Sequence, residues 1–171
     1  MVELAPIVAA DKTLLYAELE KQLRALLAGE RDFIANAANT AALLHHTLPD
    51  VNWVGFYRLA GNELVLGPFQ GKPACVRIPL GKGVCGTAAA RRETVLVPNV
   101  HEFPGHIACD SASNSEIVVP LVKNGVLLGV LDLDSPKLGR FDAVDRRGLE
   151  RAVEICLIRQ VCVLTRGGRR A

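Results

Sequence analysis

Two apolar segments joined by Lys123-Asn124-Gly125 constrain the fold of this chain more than any other feature. The segments span residues 115–122 and 126–134, and both have the length and composition of β-strands. Asn-Gly between two such segments is the strongest short-range signal for a β-hairpin. The sequence therefore predicts that an antiparallel sheet forms the centre of the molecule.

The register of this hairpin decides whether three acidic side chains share one face of the sheet. Asp132 and Asp134 alternate with leucines, so their carboxylates point to the same face. A two-residue turn would pair Glu116 with Leu133 and direct its carboxylate away from the two aspartates. A three-residue turn, with Gly125 in a left-handed bulge, would pair Glu116 with Asp132 and bring all three carboxylates together. We predict the three-residue turn.

Helical periodicity flanks the predicted strands on both sides. Leucines recur at helical spacing from Leu14 to Leu27, apolar residues continue beyond a break near Gly29, and an amphipathic pattern runs from Asp142 to about Leu164. The remaining elements are strands at residues 52–59, 64–69, 75–80 and 94–97, and a short helix at residues 87–92. Hairpin-linked strands between terminal helices indicate an α+β fold with the helices on one face of an antiparallel sheet.

Residues 98–114 show no periodicity at all. A loop of this length inside a compact domain is usually functional, often as a lid. We expect the loop to lie over the sheet face that the helices leave free, and to enclose a ligand pocket there.

Composition and charge place this fold in a single domain that does not bind nucleic acid. Half of the 171 residues are apolar, which is enough for a substantial core, and we assign residues 1–165 to one domain. Lysine and arginine exceed aspartate and glutamate by only two, and three arginines lie in a basic tail at residues 166–171 that we expect to be disordered. The rest of the chain is nearly neutral, which argues against a nucleic-acid surface.

The beginning of the chain carries an acidic residue where a signal peptide needs positive charge. The apolar runs are far shorter than the roughly 20 residues that a membrane-spanning helix requires. We therefore expect a cytoplasmic protein without membrane association. Structural disulfides are rare in that compartment, so the five cysteines need another explanation.

The cysteines fall into two groups. Cys156 and Cys162 lie in the last predicted helix, where they are most simply packing residues. Cys75 opens a predicted strand, Cys85 lies near a helix N-terminus that would lower the pKa of its thiol, and Cys109 lies in the long loop. A thiol on a loop that can reach a second thiol suits a cysteine that is oxidised and then resolved as a disulfide.

Two other interpretations of this region are weaker. Cys85, His101, His106 and Cys109 could form a small metal-ligand set, but their spacing fits no recurring zinc site, and we predict no metal. The glycines of residues 81–86 match a dinucleotide-binding motif, but the next strand begins too soon after them for a crossover helix. These glycines are therefore interpreted as a turn.

The aromatic and acidic candidates each have a structural and a functional interpretation. Trp53 and Tyr57 lie four residues apart on one strand face, either in the core or as the aromatic wall of a small-molecule pocket. Glu116, Asp132 and Asp134 are either solvated strand ends or a cluster that holds a ligand ammonium group. In a cluster, at least one of the three carboxyl groups would have a raised pKa and could donate a proton.

Five segments in this order resemble the free methionine-(R)-sulfoxide reductases, which are stand-alone GAF-domain enzymes. The resemblance covers residues 14–157. The segments are N-W-V-G-F-Y, G-P-F-Q-G-K-P-A-C, G-K-G-V-C-G-T-A-A, A-C-D-S-A-S-N-S-E-I-V-V-P and L-D-L-D-S-P. The order and spacing of the three cysteine-bearing segments are more specific than general GAF features.

The resemblance implies a role for each candidate. Cys109 would be the nucleophile that becomes a sulfenic acid, Cys75 its direct disulfide partner, and Cys85 an alternative partner or a relay. A thioredoxin-like dithiol would reset the disulfide, no cofactor is needed, and a homodimer is the suggested assembly. The remaining implied residues bind the substrate: Trp53 and Tyr57 around its methyl group, and Glu116, Asp132 and Asp134 around its amine and sulfoxide. The alternative is a GAF-type module that senses a small molecule or redox state without turnover.

Overall fold

The computed structural model describes residues 4–107 and 111–158 of the chain. Several predictions lie outside the described residues. They concern Cys109, Cys162, the last turns of the terminal helix and the basic tail at 166–171.

A single six-stranded antiparallel sheet organises the described residues, with the strand order β3-β2-β1-β6-β5-β4. The hairpin of β5 and β6 pairs with β1 through β6, so the two longest strands are interior strands. The elements in chain order are α1 (Lys12–Leu26), α2 (Phe33–Thr47), β1 (Trp53–Ala60), β2 (Glu63–Gln70), β3 (Arg77–Pro79), α3 (Gly83–Arg91), β4 (Val95–Val97), a 3₁₀ turn (Val100–Glu102), β5 (Ser115–Lys123), β6 (Val126–Ser135) and α4 (Ala143–Leu157).

The helices divide between the two faces of the sheet. α2 and α4 pack directly on one face, and α1 packs against both of them. Phe33 of α2 contacts Phe56 of β1, with an edge-to-face geometry and ring centroids 6.1 Å apart. The next residue, Tyr57, points to the opposite face, where α3 contacts β5 and β6. The predicted α+β fold with terminal helices on one face is confirmed.

The predicted register of the central hairpin is wrong, although its consequence for the acidic residues is right. The turn has two residues, Asn124 and Gly125, with φ values of 51° and 76°. A β-bulge then shifts the ladder, so that Glu116 lies opposite Asp134 instead of Asp132. Either of these two pairings puts the three carboxylates on one face, because aspartates two residues apart on a strand share a face.

Gly129, which adjoins this bulge, has no room for a side chain. A Cβ atom at this position would lie 2.0 Å from the backbone oxygen of Tyr57, on the neighbouring strand. Its φ of 156° also falls where side chains are rarely found. The backbones of β1 and β6 therefore approach each other as only glycine allows.

We expect Gly129→Ala to lower the free energy of unfolding by about 2–4 kcal/mol, because it adds overpacking to backbone strain. Urea denaturation measures the change. Gly61→Ala is the matched control, since φ is +63° there and a Cβ atom would meet nothing within 4 Å. If Gly61→Ala lowered the free energy of unfolding as much as Gly129→Ala does, the close approach of β1 and β6 would not be the cause.

A buried ionic network joins α1 to the start of α4. The carboxylate of Asp145 is fully buried and accepts hydrogen bonds from the hydroxyl of Tyr16, at 2.9 Å, and from Nη1 of Arg140, at 3.0 Å. Lys12 forms an ion pair with the same carboxylate. Asp142 caps α4 through the backbone N–H groups of Val144 and Asp145. The network fixes the first helix to the last one.

Two local predictions need correction. β3 begins at Arg77, so Cys75 precedes the strand and does not open it. α3 begins at Gly83 instead of Thr87, because burial of its first turn outweighs the low helix propensity of glycine. None of the described helices is long and apolar enough to cross a membrane.

Candidate active site

A pocket that is partly open to solvent lies on the sheet face opposite α2 and α4. Strands β1, β5 and β6 form its floor, and the first turn of α3 forms one wall. Residues 72–74 form another wall, and His106, Ile107 and Ser113 of the long loop complete it. The loop predicted to cover a pocket therefore does contribute to one.

Three aromatic rings lie in a row, and two of them, Trp53 and Tyr57, form the aromatic wall of the pocket. The ring of Trp53 stacks on Tyr57 with centroids 6.0 Å apart, and on Phe69 with centroids 5.5 Å apart. Gly55 makes room for this arrangement, since a Cβ atom there would lie 2.2 Å from the indole ring. The glycine in N-W-V-G-F-Y thus allows the indole to lie flat across the strand.

The acidic residues form a buried cluster beside the rings. Glu116 and Asp132 are 5% and 7% exposed, and their side chains share a hydrogen bond. Burial raises the pKa of both carboxyl groups well above their usual range, and repulsion from Asp134 raises the pKa of Glu116 further. The pair therefore holds a proton to higher pH than an isolated carboxyl group does. Oδ1 of Asp132 has no hydrogen-bond partner among the described residues.

Cys85 lies at the bottom of the same cluster, in the first turn of α3. Its sulfur and carboxylate oxygens of Glu116 and Asp132 all lie within 4.8 Å of one another. Burial, followed by repulsion from these carboxylates, raises the pKa of the thiol well above its usual value. The predicted lowering of its pKa by the helix dipole is wrong, because desolvation and nearby negative charge outweigh the dipole.

The other described cysteines differ sharply from each other. Cys75 is half-buried, is disulfide-bonded, and its backbone oxygen accepts a hydrogen bond from the Tyr57 hydroxyl at 3.1 Å. Cys85 and Cys156 form no disulfide, so the disulfide of Cys75 involves neither. Cys156 is buried in the helical layer, as predicted, and burial raises its pKa to about 11.

Among the sequence patterns, only the possible metal-ligand set includes His106. Its Nε2 lies 3.6 Å from Oε2 of Glu116, and burial lowers its pKa, which favours the neutral imidazole. The other histidine of that set, His101, is exposed and hydrogen-bonds to Asn114. The proximity of His106 to Cys109 in the loop was the one sequence signal for its place in the pocket.

The sulfur and two carboxylates around Cys85 are donors of the types that bind zinc. Glu116 and Asp132 are, however, hydrogen-bonded to each other, and Asp132 is also hydrogen-bonded to Cys85. These contacts explain the closeness of the three groups without an ion, and we assign no metal to them.

Comparisons with known proteins give the family of this chain. The GAF domain family model matches residues 1–158. A free methionine-R-sulfoxide reductase of Escherichia coli is 57% identical over 143 residues, which are 84% of this chain and 87% of that protein. One from Saccharomyces cerevisiae is 47% identical, covering 79% of this chain and 78% of that protein.

A solved structure agrees with these relatives. The free methionine-R-sulfoxide reductase from Neisseria meningitidis, in complex with its substrate, superposes with a TM-score of 0.86 at 48% identity. The match covers 90% of this chain and 92% of that one. The chain therefore belongs to the free methionine-R-sulfoxide reductases, a family of GAF-domain oxidoreductases.

Proposed function

We propose that this protein reduces free L-methionine-(R)-sulfoxide to methionine, with Cys109 as the nucleophile. The observation that carries the proposal is the buried Glu116–Asp132 pair beside an aromatic wall. Solvated strand ends would not have raised pKa values, whereas an acid that donates a proton at neutral pH needs one. The family relationship supports the same assignment.

The pocket can recognise every part of a free amino acid. Carboxylates of Glu116, Asp132 and Asp134 suit the α-ammonium group, and the faces of Trp53 and Tyr57 suit the methyl and thioether carbons. The first turn of α3 lines the same pocket, and its N-cap Lys82 makes no side-chain capping hydrogen bond. We place the α-carboxylate there, because the first N–H groups of a helix favour an anion.

The chemical step transfers one oxygen atom and two electrons. The Cys109 thiolate attacks the sulfoxide sulfur. Glu116 delivers a proton from the Glu116–Asp132 pair to the sulfoxide oxygen. The hydroxyl group then passes to the Cys109 sulfur, as the S–O bond of the substrate and the transient S–S bond between Cys109 and the substrate both break. Methionine leaves with its sulfur reduced, and Cys109 is left as a sulfenic acid.

Cys75 is the better resolving thiol on physical grounds. The raised pKa of Cys85 keeps it protonated, and a thiol attacks a sulfenic acid much more slowly than a thiolate does. Cys75 is half-buried and already disulfide-bonded. Cys85 is then a relay that can exchange with the disulfide later. A thioredoxin-like dithiol then reduces the disulfide, which suits a protein in the reducing cytoplasm.

The assembly that we propose is a homodimer.

The substrate test uses four compounds: the R and S sulfoxides of free methionine, N-acetyl-methionine-(R)-sulfoxide, and the (R)-sulfoxide within a peptide. We expect turnover of the free R compound, with methionine measured by chromatography. The N-acetyl compound should lose about 100-fold or more in kcat/KM, since buried carboxylates would lose their charged partner.

Comparable turnover of the peptide-bound sulfoxide would contradict the proposed recognition of the ammonium group. Calorimetric binding of free methionine-(R)-sulfoxide without any formation of methionine would instead favour a sensor module.

A further inference from the structure

Both aromatic side chains of the pocket are hydrogen-bonded to one segment, which carries Cys75. Nε1 of Trp53 donates to the backbone oxygen of Lys72 at 3.0 Å. The hydroxyl of Tyr57 donates to the backbone oxygen of Cys75 at 3.1 Å. The two donors therefore hold the two ends of residues 72–75, which we call the Cys75 segment.

The Cys75 segment has no regular secondary structure to fix it. It follows the end of β2 at Gln70 and precedes β3, which begins at Arg77. Lys72 and Pro73 are exposed, and Ala74 and Cys75 are half-buried. Segments of this kind open more easily than strands in the same sheet. Hydrogen bonds from buried rings therefore matter more for its position than for the position of a strand.

We propose that Tyr57 and Trp53 are positioning residues for Cys75 and set the rate at which the disulfide forms. This inference rests on the proposed function, in which Cys75 resolves the sulfenic acid of Cys109. The rings that face the substrate thus also hold the thiol that acts after methionine has formed. Substrate binding and thiol resolution share the same two side chains.

The resolving step itself shows why position is critical. The Cys75 sulfur attacks the Cys109 sulfur, an S–S bond forms, and the S–O bond breaks. The departing hydroxide takes up the proton of the Cys75 thiol and leaves as water. A disulfide tolerates only a narrow range of Cα–Cα and Cβ–Cβ distances, so a small displacement of the Cys75 segment slows the reaction.

Tyr57→Phe tests this inference, because it keeps the ring and removes the donor. A single turnover with equimolar free methionine-(R)-sulfoxide is quenched at intervals, and methionine and the intramolecular disulfide are both quantified. We expect disulfide formation to slow about tenfold relative to methionine formation in the same variant, which is about 1.4 kcal/mol. A dimedone-type reagent should trap correspondingly more sulfenic acid.

Tyr16→Phe is the matched control, because the chain has only two tyrosines and the Tyr16 hydroxyl binds Asp145, away from the pocket. It should leave the ratio of the two rates as in the wild type. Trp53→Phe removes the second donor, and it should shift the ratio in the same direction as Tyr57→Phe.

An unchanged ratio in both pocket variants would overturn the positioning role while leaving the proposed function intact. If Cys75→Ser still forms an intramolecular disulfide at the wild-type rate, Cys75 is not the resolving thiol. That result would overturn both this inference and the assignment of Cys75 on which it rests.

Discussion

Cys109→Ser is expected to bind free methionine-(R)-sulfoxide and to form no methionine. The activity should fall by about 10⁴-fold or more, as for other nucleophile replacements. A serine hydroxyl is not ionised near neutral pH, and its oxygen cannot accept the sulfoxide oxygen in a two-electron reduction. A coupled assay with excess dithiol measures turnover, and calorimetry measures the retained binding.

Cys156→Ala provides the control for removal of a cysteine. Cys156 is buried in the helical layer and is not disulfide-bonded, so the variant should keep its turnover per folded molecule. Residual turnover in Cys109→Ser near the wild-type level would contradict the assigned nucleophile. Cys109 would also not be the nucleophile if Cys85→Ser formed no methionine even in a single turnover.

Glu116→Gln should lower kcat/KM by about 10²–10⁴-fold, the usual contribution of a general acid. Glutamine keeps the shape of the side chain and a hydrogen bond to Asp132, but it cannot transfer the proton to the sulfoxide oxygen. The wild-type rate should fall as pH rises through the raised pKa of the pair, because the acid form is then lost. The variant should lack this alkaline limb.

The same substitution should change how stability depends on pH. Glu116 has a raised pKa in the folded protein, so its contribution to stability is complete below the unfolded value of about 4.3 and declines as pH rises toward the folded value. Relative to the wild type, Glu116→Gln should therefore gain free energy of unfolding between pH 4.5 and pH 8. Denaturation at both pH values measures this change.

Glu102→Gln is the matched control for the acid, because Glu102 is exposed and does not line the pocket. It should leave kcat/KM unchanged. If Glu116→Gln kept wild-type kcat/KM across the pH range, another group would have to supply the proton.

Local patterns predicted most of the elements because each was consistent with its surroundings. The terminal helices have caps and apolar stripes, and Asp11, Asp32 and Asp142 cap them as such residues commonly do. The hairpin was clear from Asn-Gly alone. These signals act within a few residues, so they can be recognised without tertiary information.

The features that were wrong depend on contacts between distant residues. The bulge adjoins Gly129, which closely approaches the backbone of Tyr57, about 70 residues away along the chain, and no local pattern encodes this approach. The raised pKa of Cys85, a residue of α3, depends on its burial and on the carboxylates of β5 and β6. The three-carboxylate cluster was predicted correctly despite the wrong pairing, because strand alternation constrains the face more strongly than the register.

The position of β6 has a consequence for how the protein is made. β6 comes late in the chain but lies between β1 and β5 in the sheet. The residues that hold α1 in place, Arg140 and Asp145, also come late in the chain. A nascent chain that ends before residue 126 can form only the β1–β2–β3 and β4–β5 pairings, as two unconnected parts. The ribosome must therefore release nearly the whole sequence before the sheet closes, and folding should be slow because its contacts are non-local.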